Sequence, residues 1–233
     1  MTVLIVTGTG TDVGKTVVTA ALAACAAGTV AVVKLAQTGV APGEPGDLAE
    51  VTRLSGCRDV HEFARYPDPL SPHHAAIMSG LPALDQGEAV LRIADLDNSH
   101  DLVLVEGAGG LLVPYDILGW TIYDLGMELD ADFLLVTLAG LGTINHTALT
   151  VRALEESSTR AKIVIGSWPT QPGLAERCNI FDLARMATRS ELSGVLPEGM
   201  GAATDFPQQA RAALAPQFGG TFDWPAFRAA ARL

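Results

Sequence analysis

The chain has 233 residues, 48% of them hydrophobic, and a formal net charge of -11. This size and apolar content fit one large domain with a sizeable core, or alternatively two small domains, and the apolar runs are too short to span a membrane. The negative charge argues against nucleic acid and anionic lipid as partners, so a polyanionic ligand would need local cations, backbone N–H groups and a metal ion.

Apolar, β-branched runs alternate with alanine-rich helical stretches along the chain. In chain order the pattern predicts strand Thr2–Thr7, helix Lys15–Ala27, strand Thr29–Leu35, helices Asp47–Ser55 and Gln86–Leu96, strand Asp101–Glu106, helix Thr121–Leu129, strand Asp132–Leu138, helix Thr143–Ser157, strand Lys162–Gly166, helix Leu174–Thr188 and strand Leu192–Leu196. Segments 41–46 and 65–82 are predicted to be ordered loops with short helices, and the tail after Gly199 to be packing helices.

Strands that are apolar throughout and separated by helices indicate a parallel sheet that helices cover on both faces. The predicted fold class is therefore α/β, with a doubly wound, mainly parallel sheet in a three-layer sandwich. Residues 1–233 are expected to form a single domain. Active residues should lie just beyond the carboxyl ends of the strands.

Three cysteines, Cys25, Cys57 and Cys178, lie far apart with no C-x-x-C pair. This spacing argues against a zinc site or a disulfide framework and suits a reducing cytoplasm. No basic region precedes the first strand-like run, so we expect no secretory signal and a cytoplasmic location.

The segment after the first predicted strand, GTGTDVGKT (Gly8–Thr16), is typical of a phosphate-binding loop. Its glycines allow backbone N–H groups to face phosphate oxygens, and the helix that begins near Gly14 adds the positive end of its dipole. Lys15 would contact the β- and γ-phosphates, and the Thr16 hydroxyl could bind Mg²⁺. The loop is a variant, because the usual first glycine would fall at Thr9. These features predict a sandwich of the P-loop NTPase type.

Other sequence motifs indicate which class of nucleotide-binding protein carries this loop. No N-K-x-D motif for reading guanine is found, and the additional lysine of filament-forming and partitioning ATPases would stand at Gly10. Kinases of small molecules are not excluded by the loop alone. A ligase that uses ATP is favoured over a switch or a filament-forming ATPase.

Three charged residues stand at or near predicted strand ends on the side of the loop. Lys34 closes the second strand and could face the phosphates, or extend its amine to solvent as an ordinary surface lysine. Asp47 begins a helix and could be a metal carboxylate or a simple N-cap. Glu106 ends an apolar strand and precedes a glycine-rich turn, a position where such proteins hold Mg²⁺.

Up to about Pro197 the chain resembles the dethiobiotin synthetase family, enzymes of biotin synthesis that consume a nucleoside triphosphate. The resemblance rests on the order and spacing of several short motifs. They are GTGTDVGKT at 8–16, KLAQTG at 34–39, GD at 46–47, LSPHHAA at 70–76, VEGAGGLLVP at 105–114 and GLGTINHTALT at 140–150.

The resemblance implies a reaction of 7,8-diaminononanoate, CO2 or bicarbonate, and a nucleoside triphosphate with Mg²⁺. One amine of the diamine takes up CO2 to give a carbamate, which attacks the γ-phosphate and forms a carbamic–phosphoric anhydride. The second amine then closes the cyclic urea and expels phosphate. Such chemistry needs charge neutralisation and in-line positioning more than proton transfer by the protein.

The resemblance also implies roles for individual residues. Lys34 matches the family's catalytic lysine and would act with Lys15 and Thr11. The residues implied to bind the nucleotide are Asp12, Val13, Gly14, Lys15, Thr16, Val17, Asp47, Glu106, Gly107, Ala108, Gly109, Pro197, Glu198 and Gly199. Those implied to bind the substrate are Thr11, Thr38, Pro72, Gly110, Gly142, Thr143, Ile144 and Asn145. Thr16, Asp47 and Glu106 would hold Mg²⁺, and the glycines at 107–110 would approach the substrate where a side chain would clash.

In the family, the helix start at 142–145 receives the substrate carboxylate of the neighbouring subunit, which agrees with the affinity of free N–H groups for anions. The resemblance therefore implies a homodimer with a shared active site. An ordinary N-capped helix is the alternative. His73, His74 and His146 are interpreted as structural or solvent-exposed residues.

At the base end the sequence departs from the family pattern. Thr170 stands where ATP-using members carry an asparagine that reads adenine, and a threonine cannot offer the paired donor and acceptor of an amide. We therefore expect broader or different base use. Two other functions stay open: a related P-loop amidoligase, although 233 residues leave no room for its glutaminase domain, and a non-catalytic nucleotide-binding switch.

Overall fold

The computed structural model describes residues 3–156, 161–187 and 190–231. Its strands and helices in chain order are β1 (Val3–Gly8), α1 (Lys15–Cys25), β2 (Val30–Lys34), β3 (Gln37–Thr38), α2 (Asp47–Ser55), β4 (Val60–Glu62), β5 (Arg65–Tyr66), α3 (Pro72–Ser79), α4 (Gln86–Asp97), β6 (Leu102–Glu106), α5 (Ile122–Glu128), β7 (Asp132–Thr137), α6 (Thr143–Glu155), β8 (Lys162–Trp168), α7 (Leu174–Met186), β9 (Gly194–Pro197), α8 (Phe206–Ala213) and α9 (Trp224–Ala230).

Seven strands form one parallel sheet in the order β4-β2-β6-β1-β7-β8-β9. Neighbouring side chains along each strand point to opposite faces, so Ile5 joins one apolar cluster while Leu4 and Val6 join the other. Helices α1, α2 and α8 cover the Leu4 face, and the remaining helices supply buried residues to the Ile5 face. The predicted three-layer, parallel α/β sandwich is confirmed.

The six predicted strands correspond to β1, β2 and β6 to β9, and the predicted helices to α1, α2 and α4 to α7. Three predicted element ends, Thr2, Ser157 and Thr188, lie outside the described residues. Strand β4 was not predicted, because an edge strand of three half-buried residues carries no apolar run. The paired strands β3 and β5 are two residues each and were missed for the same reason. The tail does pack as helices, with Phe206 and Trp224 buried.

The sheet order brings the carboxyl ends of β2, β6 and β1 side by side. Lys34 and Glu106 are register partners on β2 and β6, and Val6 is the partner of Glu106 on β1. The phosphate-loop segment therefore leaves the sheet next to both charged residues. Within the ranges that the structure describes, no helix is both long enough and apolar enough to cross a membrane.

Candidate active site

The loop from Gly8 to Thr16 follows β1 directly and ends in the first turn of α1. Gly14 adopts a left-handed conformation with φ 96°, which glycine tolerates without strain. A Cβ at Gly8 would lie 2.6 Å from Val13 Cγ2, and one at Gly166 on β8 would lie 2.0 Å from the Val13 carbonyl oxygen. Gly8 thus supplies the close turn although it stands one position before the usual glycine.

Lys15 is buried and donates a hydrogen bond of 2.8 Å to the Gly10 carbonyl oxygen. Burial lowers the pKa of the Lys15 amine, and nearby Lys34 lowers it further, while Glu106 acts in the opposite direction. The amine therefore lies inside the loop, at a place from which it can exchange the carbonyl for phosphate oxygens.

Lys34 is a deeply buried charged residue of the cleft, 4% exposed, and lies next to Glu106, which is 1% exposed. Its amine forms ion pairs with Asp47 and with Glu106 Oε1, the latter at 2.7 Å, and lies 3.3 Å from the Gly107 carbonyl oxygen. Burial lowers the pKa of Lys34, but the two carboxylates outweigh burial and raise the pKa overall. The alternative of a lysine that extends to solvent is therefore wrong.

Asp47 stands at the first position of α2, but its side chain does not cap that helix. The N-cap is Gly46, and the Asp47 carboxylate turns into the cleft toward Lys34. The alternative of a simple N-cap is thus wrong for Asp47.

Oxygen donors suited to a hard cation lie together at this point. Thr16 Oγ1 is 2.9 Å from Glu106 Oε1, and Lys34 connects Glu106 to Asp47. The part of the chain that the structure describes contains no cluster of three or more histidine, cysteine or acidic side chains that could hold a metal. Two carboxylates and a hydroxyl nonetheless fit Mg²⁺, which keeps several waters and takes phosphate oxygens as its other ligands.

These residues face an open cleft of about 610 Å³. It contains most of the residues that the family resemblance predicted at the phosphate and metal positions, and three of the eight predicted to bind the substrate. Its lining includes Thr11, Asp12, Gly14, Lys15, Thr16, Val17, Lys34, Thr38, Asp47, Pro72, Glu106, Ala108 and Gly109. Among the described residues, His73 and His74 start α3 next to Pro72 and are not part of this lining.

Two of the glycines after Glu106 have a packing or conformational reason to lack a side chain, in addition to the predicted approach of substrate. A Cβ at Gly107 would lie 2.7 Å from Ile122 Cδ1, and one at Gly109, which has φ +72°, would lie 3.0 Å from Val113 Cγ2. At Gly110 the nearest atom would be the Gly8 carbonyl oxygen at 3.4 Å, an ordinary contact. Packing and backbone conformation account for Gly107 and Gly109.

Two predicted groups lie apart from this cleft in the single chain. At the α6 start, residues 142–145, Gly142 and Thr143 line a separate cavity of about 290 Å³. The buried Thr143 hydroxyl donates a hydrogen bond of 2.7 Å to the Leu138 carbonyl oxygen. Residues 197–199 are exposed at the end of β9. The nearby Thr170 N–H donates to Glu198 Oε2 at 3.4 Å.

Gln37 and Tyr115 contribute to the site but were not predicted from the sequence. Gln37 is 4% exposed, lines the cleft and accepts a hydrogen bond from the Asp47 N–H at 2.8 Å. The fully buried Tyr115 hydroxyl accepts one from the Ala108 N–H at 2.8 Å, and burial raises the pKa of Tyr115 to about 12. Gln37 lies inside the KLAQTG motif, so the sequence could have indicated it as a site residue. Tyr115 lies just outside the motif that ends at Pro114, and no sequence pattern indicates it.

The parallel sandwich, the phosphate loop and the acidic strand end together define a nucleotide-using protein of the P-loop NTPase class. Solved structures with this fold include the MinC:MinD cell division protein complex of Aquifex aeolicus. Its TM-score is 0.52 at 16% identity, covering 90% of this chain and 86% of that chain. A ParA family ATPase from Chlorobium tepidum gives 0.50 at 12% identity, covering 99% and 98%. Identities this low show the fold alone.

Sequence relatives are far more similar. A family model described as an AAA domain matches residues 2–199. The ATP-dependent dethiobiotin synthetase BioD of Frankia casuarinae is 57% identical over 235 aligned positions, covering 98% of each chain. The protein of the same name from Rhodococcus jostii is 60% identical over 205 positions, covering 86% of this chain and 88% of its own. The chain belongs to the dethiobiotin synthetase family.

Proposed function

We propose that the cleft closes the cyclic urea ring of dethiobiotin from 7,8-diaminononanoate, CO2 and a nucleoside triphosphate, the reaction for which the family is named. One observation carries the assignment of the chemistry to this cleft. A buried lysine, Lys34, lies between two carboxylates, Asp47 and Glu106, directly beside the phosphate loop. A bound polyanion therefore meets two lysines and an acidic cation site within one cleft. The amidoligase and the non-catalytic switch, left open by the sequence, are not favoured by the family membership.

The reaction balances with the groups at hand. A substrate amine adds to the carbon of CO2 and loses a proton, giving a carbamate. A carbamate oxygen attacks the γ-phosphorus, and the bond from that phosphorus to the bridging oxygen breaks, so that the nucleoside diphosphate leaves. The second amine then attacks the carbamate carbon, the bond from that carbon to the phosphate oxygen breaks, and the amine proton leaves with the phosphate as inorganic phosphate is released.

In this scheme the chain's side chains hold charge rather than move protons. Lys34 and Lys15 neutralise the carbamate and the γ-phosphate on both sides of the forming bond. Thr11, Thr38 and Pro72 line the same cleft and would position the diamine. In the protein without ligands, burial lowers the pKa of Lys34 but Glu106 and Asp47 outweigh burial and raise it, so the amine is a cation before the substrates bind.

Thr16, Asp47 and Glu106 would hold Mg²⁺, and the cation would neutralise charge that develops between the β- and γ-phosphates. The backbone N–H groups of residues 12–17 would contact the phosphates, because this segment includes the start of α1 at Lys15. Occupation by Mg²⁺ would require the Glu106 carboxylate to share its oxygens between the cation, Thr16 and Lys34.

Base selectivity is proposed to be weak, because Thr170 has one hydroxyl and its N–H is already directed at Glu198. We expect labelled bicarbonate, diaminononanoate and Mg²⁺ to yield a labelled ureido product with ATP, and other triphosphates to support kcat/KM within about tenfold of ATP. Thr170→Asn should raise the preference for ATP. If none of the triphosphates gives product, the proposed function is rejected. If only ATP gives product, the proposal of weak base selectivity is rejected and the proposed function stands.

We propose that the protein is a homodimer with shared active sites, in which the α6 start of one subunit binds the carboxylate of the substrate held in the cleft of the other. Among the described residues, those of the α6 start do not line the Lys34 cleft of the same chain. They would therefore contact a substrate in the cleft of a second subunit. Exposed apolar side chains support a covering partner, since Ile117 is 83%, Leu118 87% and Leu141 93% exposed.

Mixing two defective variants tests the shared site. Lys34→Ala removes the catalytic lysine, and Asn145→Asp places a negative charge at the helix start, where it would repel the substrate carboxylate. A heterodimer of the two contains one intact site, so unfolding and refolding them together should restore roughly a quarter of wild-type product formation at low diamine concentration. Mixtures no more active than the separate variants, from a protein that sediments as a monomer, would contradict the proposal.

The compartment proposed for the enzyme is the reducing cytoplasm. Cys25, Cys57 and Cys178 are all free thiols in the structure, and Cys178 is exposed. Free, exposed thiols persist where glutathione and thioredoxin keep them reduced.

A further inference from the structure

Beside the cleft lies a small parallel sheet of two strands, β3 and β5, separate from the main sheet. Gln37 on β3 and Arg65 on β5 are register partners. Strand β3 follows Lys34 after two residues, and the loop that leaves β3 leads to Asp47 at the start of α2. Strand β3 therefore lies between Lys34 and Asp47 along the chain, and β5 pairs with it from beyond α2.

Gln37 makes a contact that α2 otherwise lacks. The N-cap of α2 is Gly46, which has no side chain, so the first amide of the helix needs an acceptor from elsewhere. The buried Gln37 Oε1 accepts from the Asp47 N–H at 2.8 Å, while its Nε2 donates to the Thr38 carbonyl oxygen at 3.3 Å. Both ends of the amide are thus bonded.

Arg65 fastens the loop that precedes α2. Its Nε and Nη2 donate to the Glu62 carboxylate at 2.6 and 2.8 Å, and its Nη1 donates to the carbonyl oxygens of Ala41 at 3.2 Å and Glu44 at 2.9 Å. A Cβ at Gly46 would lie 2.6 Å from Gln37 Oε1 and 2.9 Å from Arg65 Nη2. The start of α2 is therefore enclosed by the two register partners.

We infer that Gln37 is a positioning residue, which fixes the Asp47 carboxylate in the cleft through its hydrogen bond to the Asp47 backbone. The inference rests on the proposed role of Asp47 in holding Mg²⁺. Asp47 is the more exposed of the two carboxylates, with a side chain 34% exposed against 2% for Glu106. Its location depends on where α2 begins, whereas Glu106 is fixed by the main sheet.

A pair of isosteric substitutions separates positioning from simple packing. Gln37→Met keeps the length of the side chain but removes the acceptor, and Gln37→Glu keeps an acceptor oxygen. Loss of a residue that orients a metal ligand costs about tenfold or more in metal affinity. Gln37→Met should therefore raise the Mg²⁺ concentration for half-maximal product formation about tenfold and Gln37→Glu should largely restore it, while the KM for the diamine changes little.

Gln86→Met is the matched control, because Gln86 lies on α4 and bonds through Nε2 to Glu128 Oε1 at 2.7 Å, away from the cleft. It should leave the Mg²⁺ requirement unchanged. The second readout is hydrogen exchange of the Asp47 amide, followed by NMR on the protein without ligands. Gln37→Met should accelerate exchange at this amide, and Gln86→Met should not.

A double-mutant cycle with Asp47→Asn completes the test. If Gln37 acts through Asp47, Gln37→Met should add almost nothing to the Mg²⁺ requirement of Asp47→Asn. Fully additive effects, or an unchanged Mg²⁺ requirement in Gln37→Met despite a freely exchanging amide, would overturn the inference. Failure of the proposed function is distinguishable, since the wild-type protein would then give no ureido product at any Mg²⁺ concentration.

Discussion

Replacement of Lys34 by alanine is expected to reduce formation of the ureido product by about a thousandfold, while nucleotide still binds. The amine lies between Asp47 and Glu106, beside the place where the carbamate and γ-phosphate would meet. Its loss removes a fixed cation from the transition state and leaves Lys15 and the loop backbone to hold the phosphates. Product formation and nucleotide affinity, by isothermal titration calorimetry, are the two measurements.

The same substitution is expected to destabilise the protein without ligands. Glu106 would be left buried, with the Thr16 hydroxyl as its remaining side-chain donor within the described part of the chain, and an uncompensated buried charge costs about 3–5 kcal/mol. Mg²⁺ and nucleotide should recover part of the lost thermal stability. Lys34→Met combined with Glu106→Gln removes both charges and should restore the melting temperature without restoring turnover.

Lys162→Ala is the control for Lys34, because Lys162 forms an ion pair of 2.6 Å with the exposed Asp132 outside the cleft. It should leave turnover and nucleotide affinity near wild type. Substantial turnover by a folded Lys34→Ala protein would remove Lys34 from the catalytic residues.

The second large effect is expected from Lys15→Ala, which should weaken nucleotide binding and turnover together. A charge-assisted contact to phosphate is worth about 1.5–3 kcal/mol, so the affinity should fall about tenfold to a hundredfold. The fold should tolerate the change, since the Lys15 amine donates its hydrogen bond to the Gly10 carbonyl oxygen and not to a buried carboxylate. The melting temperature without ligands should therefore stay near wild type, unlike that of Lys34→Ala.

Calorimetry with ATP and Mg²⁺ checks the Lys15 prediction directly. Weak nucleotide binding together with an unchanged melting temperature would show that Lys15 contributes to ligand binding and not to the stability of the fold. Wild-type affinity in Lys15→Ala would mean that the loop holds the triphosphate through its backbone alone.

The part of the site built on the main sheet could be predicted from the sequence. Lys34 and Glu106 end apolar runs that read as buried strands, and the carboxyl ends of parallel strands share one edge. Their proximity therefore follows from strand assignment and sheet order. The phosphate loop is local in sequence, so its position after β1 was equally predictable.

The remainder depends on neighbours that sequence spacing does not reveal. The Asp47 side chain enters the cleft, while its backbone N–H donates to Gln37 Oε1, ten residues earlier, and Gln37 in turn pairs with strand β5 beyond α2. A Cβ at Gly107 would lie close to Ile122 of α5, which gives this glycine a packing reason in addition to the predicted approach of substrate. In both cases the contact joins separate elements of the fold, so the sequence spacing does not reveal it.

The register of β2 and β6 has a consequence for engineering. The distance between Lys34 and Glu106 is set by backbone hydrogen bonds of the sheet, whereas Thr38 and Pro72 belong to segments outside it. The segments that carry Thr38 and Pro72 could therefore be exchanged without changing the spacing of Lys34 and Glu106, as long as Gln37 is kept for its hydrogen bond to the Asp47 N–H. Insertion or deletion of one residue within β2 would instead turn Lys34 to the opposite face, since side chains alternate along a strand. Redesign for other diamines should vary the loops and leave the length of β2 unchanged.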